Sequence, residues 1–188
     1  GAFSASAARS LLRGLAIACL DECHDSSQLQ SSWALLQPDE RSMADIALHA
    51  AQRLLALRGD PQLALKWLTP VWQQMANADD SLASTQRQKL VQVLSDTLHE
   101  IDPDSEWLAR VEQARLVNPR SLELQYLSGM VCVRHGLWGK AQQMLEQVAP
   151  RLTSPMLQRQ AWRALAELAE NKGDTAQALA CWKLSAKV

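Results

Sequence analysis

The 188-residue sequence contains one tyrosine and one phenylalanine, and its Val, Ile and Thr together number only 17. A sheet would lack the β-branched and aromatic side chains that strands pack with. Long apolar runs are missing too: the longest near the start, Leu15 to Leu20, is six residues, against the roughly 20 that a membrane-spanning helix needs. Charge of one sign is not in excess. Nineteen Lys and Arg face twenty Asp and Glu, a formal net charge of -1, so no global field draws the chain to nucleic acid or anionic lipid, and no nucleic-acid partner is expected. The four cysteines, Cys19, Cys23, Cys132 and Cys181, lack the dense spacing of a secreted disulfide framework, so reduced thiols are expected, which leans towards the cytoplasm. Phosphate-cradling glycine loops, nucleophile elbows and recognisable catalytic carboxylate pairs are also lacking, and an enzyme is not expected. Nor does the start, Gly1-Ala2-Phe3 without a methionine, have the sections of a signal peptide; it reads as a piece of a longer polypeptide.

What is present is leucine and alanine, 31 and 28 residues, a composition that favours helix. The spacing shows repetition. Gly59, Gly136 and Gly173 sit at equivalent points between helical patterns, each followed five residues later by alanine (Ala64, Ala141, Ala178) and four after that by a large apolar residue (Leu68, Leu145, Trp182). A glycine there can take the left-handed conformation that ends a helix, and a small residue lets two helix axes approach closely. Seven positions before the second and third glycines stand Gly129 and Ala166, again small. The run Trp162-Arg163-Ala164-Leu165-Ala166, with Ala178 and Trp182, resembles the tetratricopeptide pattern of sizes at spaced positions.

From Gly59 to Gly136 is 77 residues, room for two units of about 34 with a small insertion. The degenerate unit between them has a first helix at Gln86 to Glu100, a turn at Asp102-Pro103-Asp104-Ser105, and a second helix from Glu106 to Val117 that stops at Asn118-Pro119. Upstream, the spacing predicts a helix from Asp39 to Arg58 with Met43, Ile46, Ala47, Ala50, Leu54 and Leu57 on one stripe. A first helix is expected from Ala5 to Cys23 through Leu11, Leu12, Leu15, Ala18 and Cys19, with His24 to Gln28 as a connection. The expected fold is all-α: eight or nine helices in antiparallel pairs, stacked into a tetratricopeptide-like right-handed superhelix. Residues 1–188 form a single array, with an N-terminal helix and connection at 1–30, a first clear unit at 31–80, the degenerate unit at 81–119, and further units at 120–153 and 154–188.

Cys19, Cys23 and His24 are the nearest thing to a ligand cluster, yet their spacing fits zinc poorly and a buried cysteine is commonly just a small apolar residue. His49, His99 and His135 lack a neighbouring ligand at the spacing of a helical zinc motif, so no metal and no resident cofactor is expected. Of the seven tryptophans, Trp67, Trp107, Trp162 and Trp182 fall where they face the stack. Trp33 and Trp138 lie near helix starts where an indole would be half exposed, and Trp72 is not assigned to either group. The working surface of such a superhelix is its concave groove, lined by the first helix of each unit. The register places there His49 and Arg53, then Gln92, Asp96 and His99, then Tyr126, Met130 and Arg134, then Arg163 and Glu167. Both signs of charge with a Tyr and a Met suit a protein or peptide partner, and the repeated Lys and Asn of a carboxylate clamp are missing.

The run Arg134-His135-Gly136-Leu137-Trp138-Gly139-Lys140-Ala141-Gln142 to Leu145-Glu146 resembles the Leu-Trp-Gly-Lys-Ala run of the bacterial HemY family. Trp33-Ala34-Leu35-Leu36-Gln37-Pro38 with Arg41, and Trp107-Leu108 through Asn118-Pro119, are similar to two further segments of that family. The resemblance runs from about Trp33 to the end, with an extra residue before Pro38 and few family features in the last unit. It implies an inner-membrane protein of Gram-negative bacteria, anchored by two spanning helices upstream of Gly1, with this region as the soluble tetratricopeptide part that follows; a non-catalytic scaffold is expected, and the cysteines lean towards the cytoplasmic side. The implied partners are enzymes of late haem biosynthesis. The flavin-dependent oxidase that shares the family's name has no counterpart here, since no dinucleotide-binding strand and glycine loop is present. Two other readings stand beside the scaffold: a haem- or porphyrin-handling module using His24 with Cys19 or Cys23, or a groove histidine, as axial ligand, and a generic adaptor for envelope or secretion proteins.

Overall fold

A computed structural model describes residues 2–78 and 81–188, with side chains from residue 4 onwards. The described residues form helices and no strand: α1 (Ala2–Asp21), α2 (Ser26–Leu35), α3 (Pro38–Arg41), α4 (Ala44–Ala56), α5 (Pro61–Ala76), α6 (Ser84–His99), α7 (Ser105–Val117), α8 (Leu122–Arg134), α9 (Trp138–Val148), α10 (Pro155–Asn171) and α11 (Thr175–Lys187), with a 3₁₀ turn at Ala149–Arg151. Eleven α-helices replace the expected eight or nine. Their contacts gather into two compact units, Gly1–Gln74 and Met75–Val188.

In the first unit several expectations are corrected. The helix expected from Asp39 to Arg58 is two helices, α3 and α4, with Met43 as a non-helical N-cap at ψ 125° instead of a stripe residue. The break is built in by local bonds: the Ser42 hydroxyl donates to the Asp39 carbonyl at 2.9 Å, and Arg41 folds back to donate to the carbonyls of Trp33 and Ala34. The polar run after α1 is mostly helix as well, because the Asp25 carboxylate accepts the Gln28 N–H at 2.8 Å and so starts α2 at Ser26. Third, α1 presents a different face. Ala16 and Leu20 are buried and Arg13 pairs with Asp45 on α4 at 3.0 Å, whereas Leu11, Leu12 and Leu15 are 65%, 52% and 55% exposed. Trp33 is buried as well, its ring stacked on Trp67 with centroids 4.5 Å apart.

The turns show how repeats are closed. Gly136 (φ 71°) and Gly173 (φ 77°) are left-handed, and the N–H of the next residue, Leu137 or Asp174, reaches back to Cys132 O or Ala169 O at 2.9 Å. This pattern satisfies carbonyls that the helix end leaves open. At the first turn the left-handed residue is Arg58 (φ 56°), not Gly59, and the Gly59 N–H makes the equivalent bond to Leu54 O at 2.8 Å. Gly59 is needed for a different reason: a Cβ there would collide with the Leu54 side chain. The first turn is thus one residue longer between its left-handed residue and the next helix. Counting seven back from Arg58 gives Ala51, fully buried, as the counterpart of Gly129 and Ala166.

In the second unit, α8 packs on α9 and α10 on α11 at small residues. A Cβ on Gly129 would lie 2.7 Å from Leu145 Cδ2, and Ala141, Ala166 and Ala178 are buried. The degenerate unit, α6 and α7, turns without a glycine. The Ile101 carbonyl is capped instead by the next unit, whose Arg134 donates to it through Nε at 3.1 Å and Nη2 at 2.5 Å. Asp104 then starts α7 by accepting the Glu106 N–H at 2.8 Å.

Candidate functional site

Since α6 packs on α8 and α8 on α10, residues repeated at helical spacing on these three helices share one wall. On α6 they are Asp96 and His99, with Glu100 as the C-cap; on α8, Met130 and Arg134; on α10, Gln160, Arg163, Ala164 and Glu167. Together with Leu98, Ile101 and Trp107 they line one cavity of about 350 Å³ within the second unit. Six residues expected in the groove (Asp96, His99, Met130, Arg134, Arg163 and Glu167) therefore meet at one place. They arrive from the first helices of three successive units, as a repeat register requires.

The remaining four lie elsewhere. Gln92 is half-buried on α6, one turn from Asp96 and off the cavity wall. Tyr126 does not face solvent at all; it is 1% exposed, and burial, with the Asp96 charge adding to it, pushes its hydroxyl well above the ordinary tyrosine range despite a hydrogen bond with Ser95. Its large ring drops into the space between helices instead of standing in the groove. His49 and Arg53 belong to the first unit and fasten α4 to the end of α1: His49 Nε2 lies 2.6 Å from Asp21 Oδ1, and Arg53 Nη2 donates to the Cys23 carbonyl at 2.7 Å. Arg53 Nε is buried with no hydrogen-bond partner, so this guanidinium is committed to the interior of its own unit.

The cavity's electrostatics follow from which charges are already used. Arg134 is spent on the Ile101 carbonyl and Asp104 on the start of α7. Burial at the wall raises the Asp96 pKa, with Glu100 adding to the rise and His99 opposing it. Beneath, Glu112 behaves in the opposite way. Burial pushes its pKa up, but hydrogen bonds from Ser128 (2.6 Å), Arg115 (3.0 Å) and Lys140 (3.1 Å) outweigh that and leave it below the ordinary carboxylate value. This network ties α7, α8 and α9 together.

The cysteine–histidine cluster is dispersed. Cys19 is exposed, Cys23 is buried with its Sγ 3.3 Å from Ser32 Oγ, and the His24 backbone N–H caps against Gln28. Among the described residues no three His, Cys, Asp or Glu side chains converge as a metal site would require. Cys132 and Cys181 are buried thiols whose pKa burial raises. Trp138 is 51% exposed at the start of α9. No described helix is long and apolar enough to cross a membrane.

Helix pairs joined by left-handed turns, with small residues at each crossing, define an all-α protein of tetratricopeptide type. A solved structure, MamA MSR-1, is similar over 93% of this chain and 92% of its own, with 17% sequence identity and a TM-score of 0.50, and it is itself a tetratricopeptide-like helical repeat protein. A second, MamA AMB-1, is similar over 93% of this chain and 95% of its own at 17% identity and a TM-score of 0.47. No family model matches the sequence, and no curated protein does.

Proposed function

We propose that this chain is a non-catalytic protein-interaction scaffold that takes an extended segment of a partner along the face made by α6, α8 and α10. The observation that carries the reading is the convergence of Asp96, His99, Met130, Arg134, Arg163 and Glu167 on one cavity. Side chains that merely decorate a solvated surface have no reason to line a common hollow with an apolar floor of Leu98, Ile101 and Trp107. The finer part of the proposal rests on the HemY-like segments at Trp33–Pro38, Trp107–Pro119 and Arg134–Glu146. On that basis the partners are enzymes of late haem biosynthesis, and the chain is the cytoplasmic region of a bacterial inner-membrane protein.

Site-directed photo-cross-linking tests both levels in cells. Benzoylphenylalanine in place of Arg163 should give discrete protein adducts, while the same residue in place of the exposed Lys183 on α11 should not. Equal labelling from both positions, or none from 163, would remove the groove as the working surface. Groove adducts that contain envelope assembly factors and no haem-pathway enzyme would retain the scaffold and discard its pathway.

A further inference from the structure

Beyond the surface itself, its charge selects a kind of partner. Eight ionisable side chains line the cavity: the carboxylates Asp96, Glu100, Asp104 and Glu167, the guanidinium groups Arg134 and Arg163, and the imidazoles His99 and His135. Two are already engaged, Arg134 by the Ile101 carbonyl and Asp104 by the Glu106 N–H. A hydrogen bond to a neutral backbone group leaves a charge in place, so four carboxylates face two guanidinium groups, of which only Arg163 has no such bond. No ion pair among the described residues neutralises Asp96, Glu100 or Glu167. Asp96 is exposed yet its carboxylate is partly dehydrated, and the same loss of water that penalises it alone strengthens its attraction to a cation brought to it. The walls suit the rest of such a side chain. Leu98, Trp107, Met130 and Ala164 offer apolar surface along which an aliphatic stem lies while its charged end reaches the rim.

We infer that the cavity receives a lysine or arginine side chain of the partner, its charged head between Asp96 on α6 and Glu167 on α10 and its stem on Met130 and Leu98. This rests on the proposed reading of the α6, α8 and α10 face as a peptide site and adds the sign of the peptide. The nearly balanced charge of the whole chain, -1, does not favour basic partners; the preference is local to this hollow, where carboxylates outnumber guanidinium groups four to two.

The probe is a phage-displayed library of random 12-residue peptides, selected on the immobilised full chain and then measured as free peptides by fluorescence anisotropy. Selected sequences should carry Lys or Arg beside an apolar residue. Their Kd should rise about tenfold or more in Asp96→Asn and in Glu167→Gln, rise with added salt, and stay unchanged or fall in Arg163→Gln. Circular dichroism and melting of each variant keep a binding loss separate from a folding loss. Selected peptides rich in Asp or Glu whose binding needs Arg163 would overturn the inference while leaving the peptide groove in place. So would basic peptides indifferent to both carboxylate substitutions but blocked by Met130→Glu. Peptides indifferent to every one of these substitutions would overturn the groove reading itself.

Discussion

The crossing of α8 and α9 makes a quantitative demand. Gly129 is helical and buried, and a Cβ there would sit 2.7 Å from Leu145 Cδ2 and 2.8 Å from its Cγ. Leu145 is fully buried, so its side chain must shift within a packed crossing. Gly129→Ala therefore sets two terms against each other: alanine is better than glycine in a helix by about 1 kcal/mol, while overpacking a filled crossing costs about 1 to 3 kcal/mol. The net expectation is a loss of about 1 kcal/mol. Leu145→Ala alone should cost about 2 to 5 kcal/mol through lost contacts and a cavity. In that background the clash is gone and only the helix-propensity gain survives, so Gly129→Ala should now stabilise by about 1 kcal/mol. The double-mutant cycle, measured by urea unfolding followed by circular dichroism, should give a coupling of about 2 kcal/mol with a change of sign. Additive effects within about 0.5 kcal/mol would refute the close crossing and, with it, the repeat register that places Gly129, Ala166 and Ala51 at equivalent points.

Arg58→Gly should stabilise by up to about 1 kcal/mol, since it relieves a left-handed non-glycine residue, while Gly136→Ala and Gly173→Ala should each cost about 1 kcal/mol with no clash to blame. Equal melting temperatures for all three would show that these turns are not left-handed. The two perturbed carboxylates should act with opposite signs. The Asp96 pKa is raised above 3.8 in the folded state, so its ionised form burdens the fold at neutral pH; Asp96→Asn should stabilise there, and the gain should vanish as pH falls through the folded value and below 3.8. The Glu112 pKa is lowered below 4.5, so Glu112→Gln should destabilise by about 1 kcal/mol at neutral pH, with the difference lost as pH falls from 4.5 through the lower folded value. Parallel pH profiles for the two variants would contradict both assignments. On α1, Leu12→Gln should leave stability within about 0.5 kcal/mol, whereas Leu20→Ala should cost about 2 to 5 kcal/mol; the reverse order in thermal melts would restore the expected stripe.

The sequence revealed most where side-chain size alone decides the outcome. Gly129, Ala141, Ala166 and Ala178 are small because two helices cross at them, and each stands at its expected place. Asp96, His99, Met130, Arg134, Arg163 and Glu167 were legible for a related reason: once the register is known, the inner face of every first helix follows from a period of 3.6 residues. Periodicity says less about which of two apolar faces is covered. On α1 the leucine-rich face and the Arg13–Ala16–Leu20 face both read as stripes, and only the presence of α4 with Asp45 chooses the second. Tyr126 misled in the same way, since position on a face does not say whether a ring stands up into a groove or lies down into the core. Arg134 was expected in the groove and lines the cavity; that it would also cap the Ile101 carbonyl 33 residues earlier is a tertiary fact with no local signal.

That last contact also explains how a unit without the turn glycine persists. The turn between α6 and α7 leaves helix-end carbonyls that a left-handed glycine would otherwise let the backbone satisfy. Arg134, at the end of α8, supplies two N–H groups to one of them, so the cap is delivered by the following unit instead of by the unit's own backbone. The consequence reaches the cavity. An arginine held on a carbonyl keeps its charge in the hollow but is fixed in position, so the missing glycine also decides where that charge sits relative to Asp96, Glu100 and Glu167. A turn glycine in the degenerate unit would release Arg134 and give the groove a second free cation. The irregular repeat thus fixes where one of the hollow's two guanidinium groups stands, against four carboxylates.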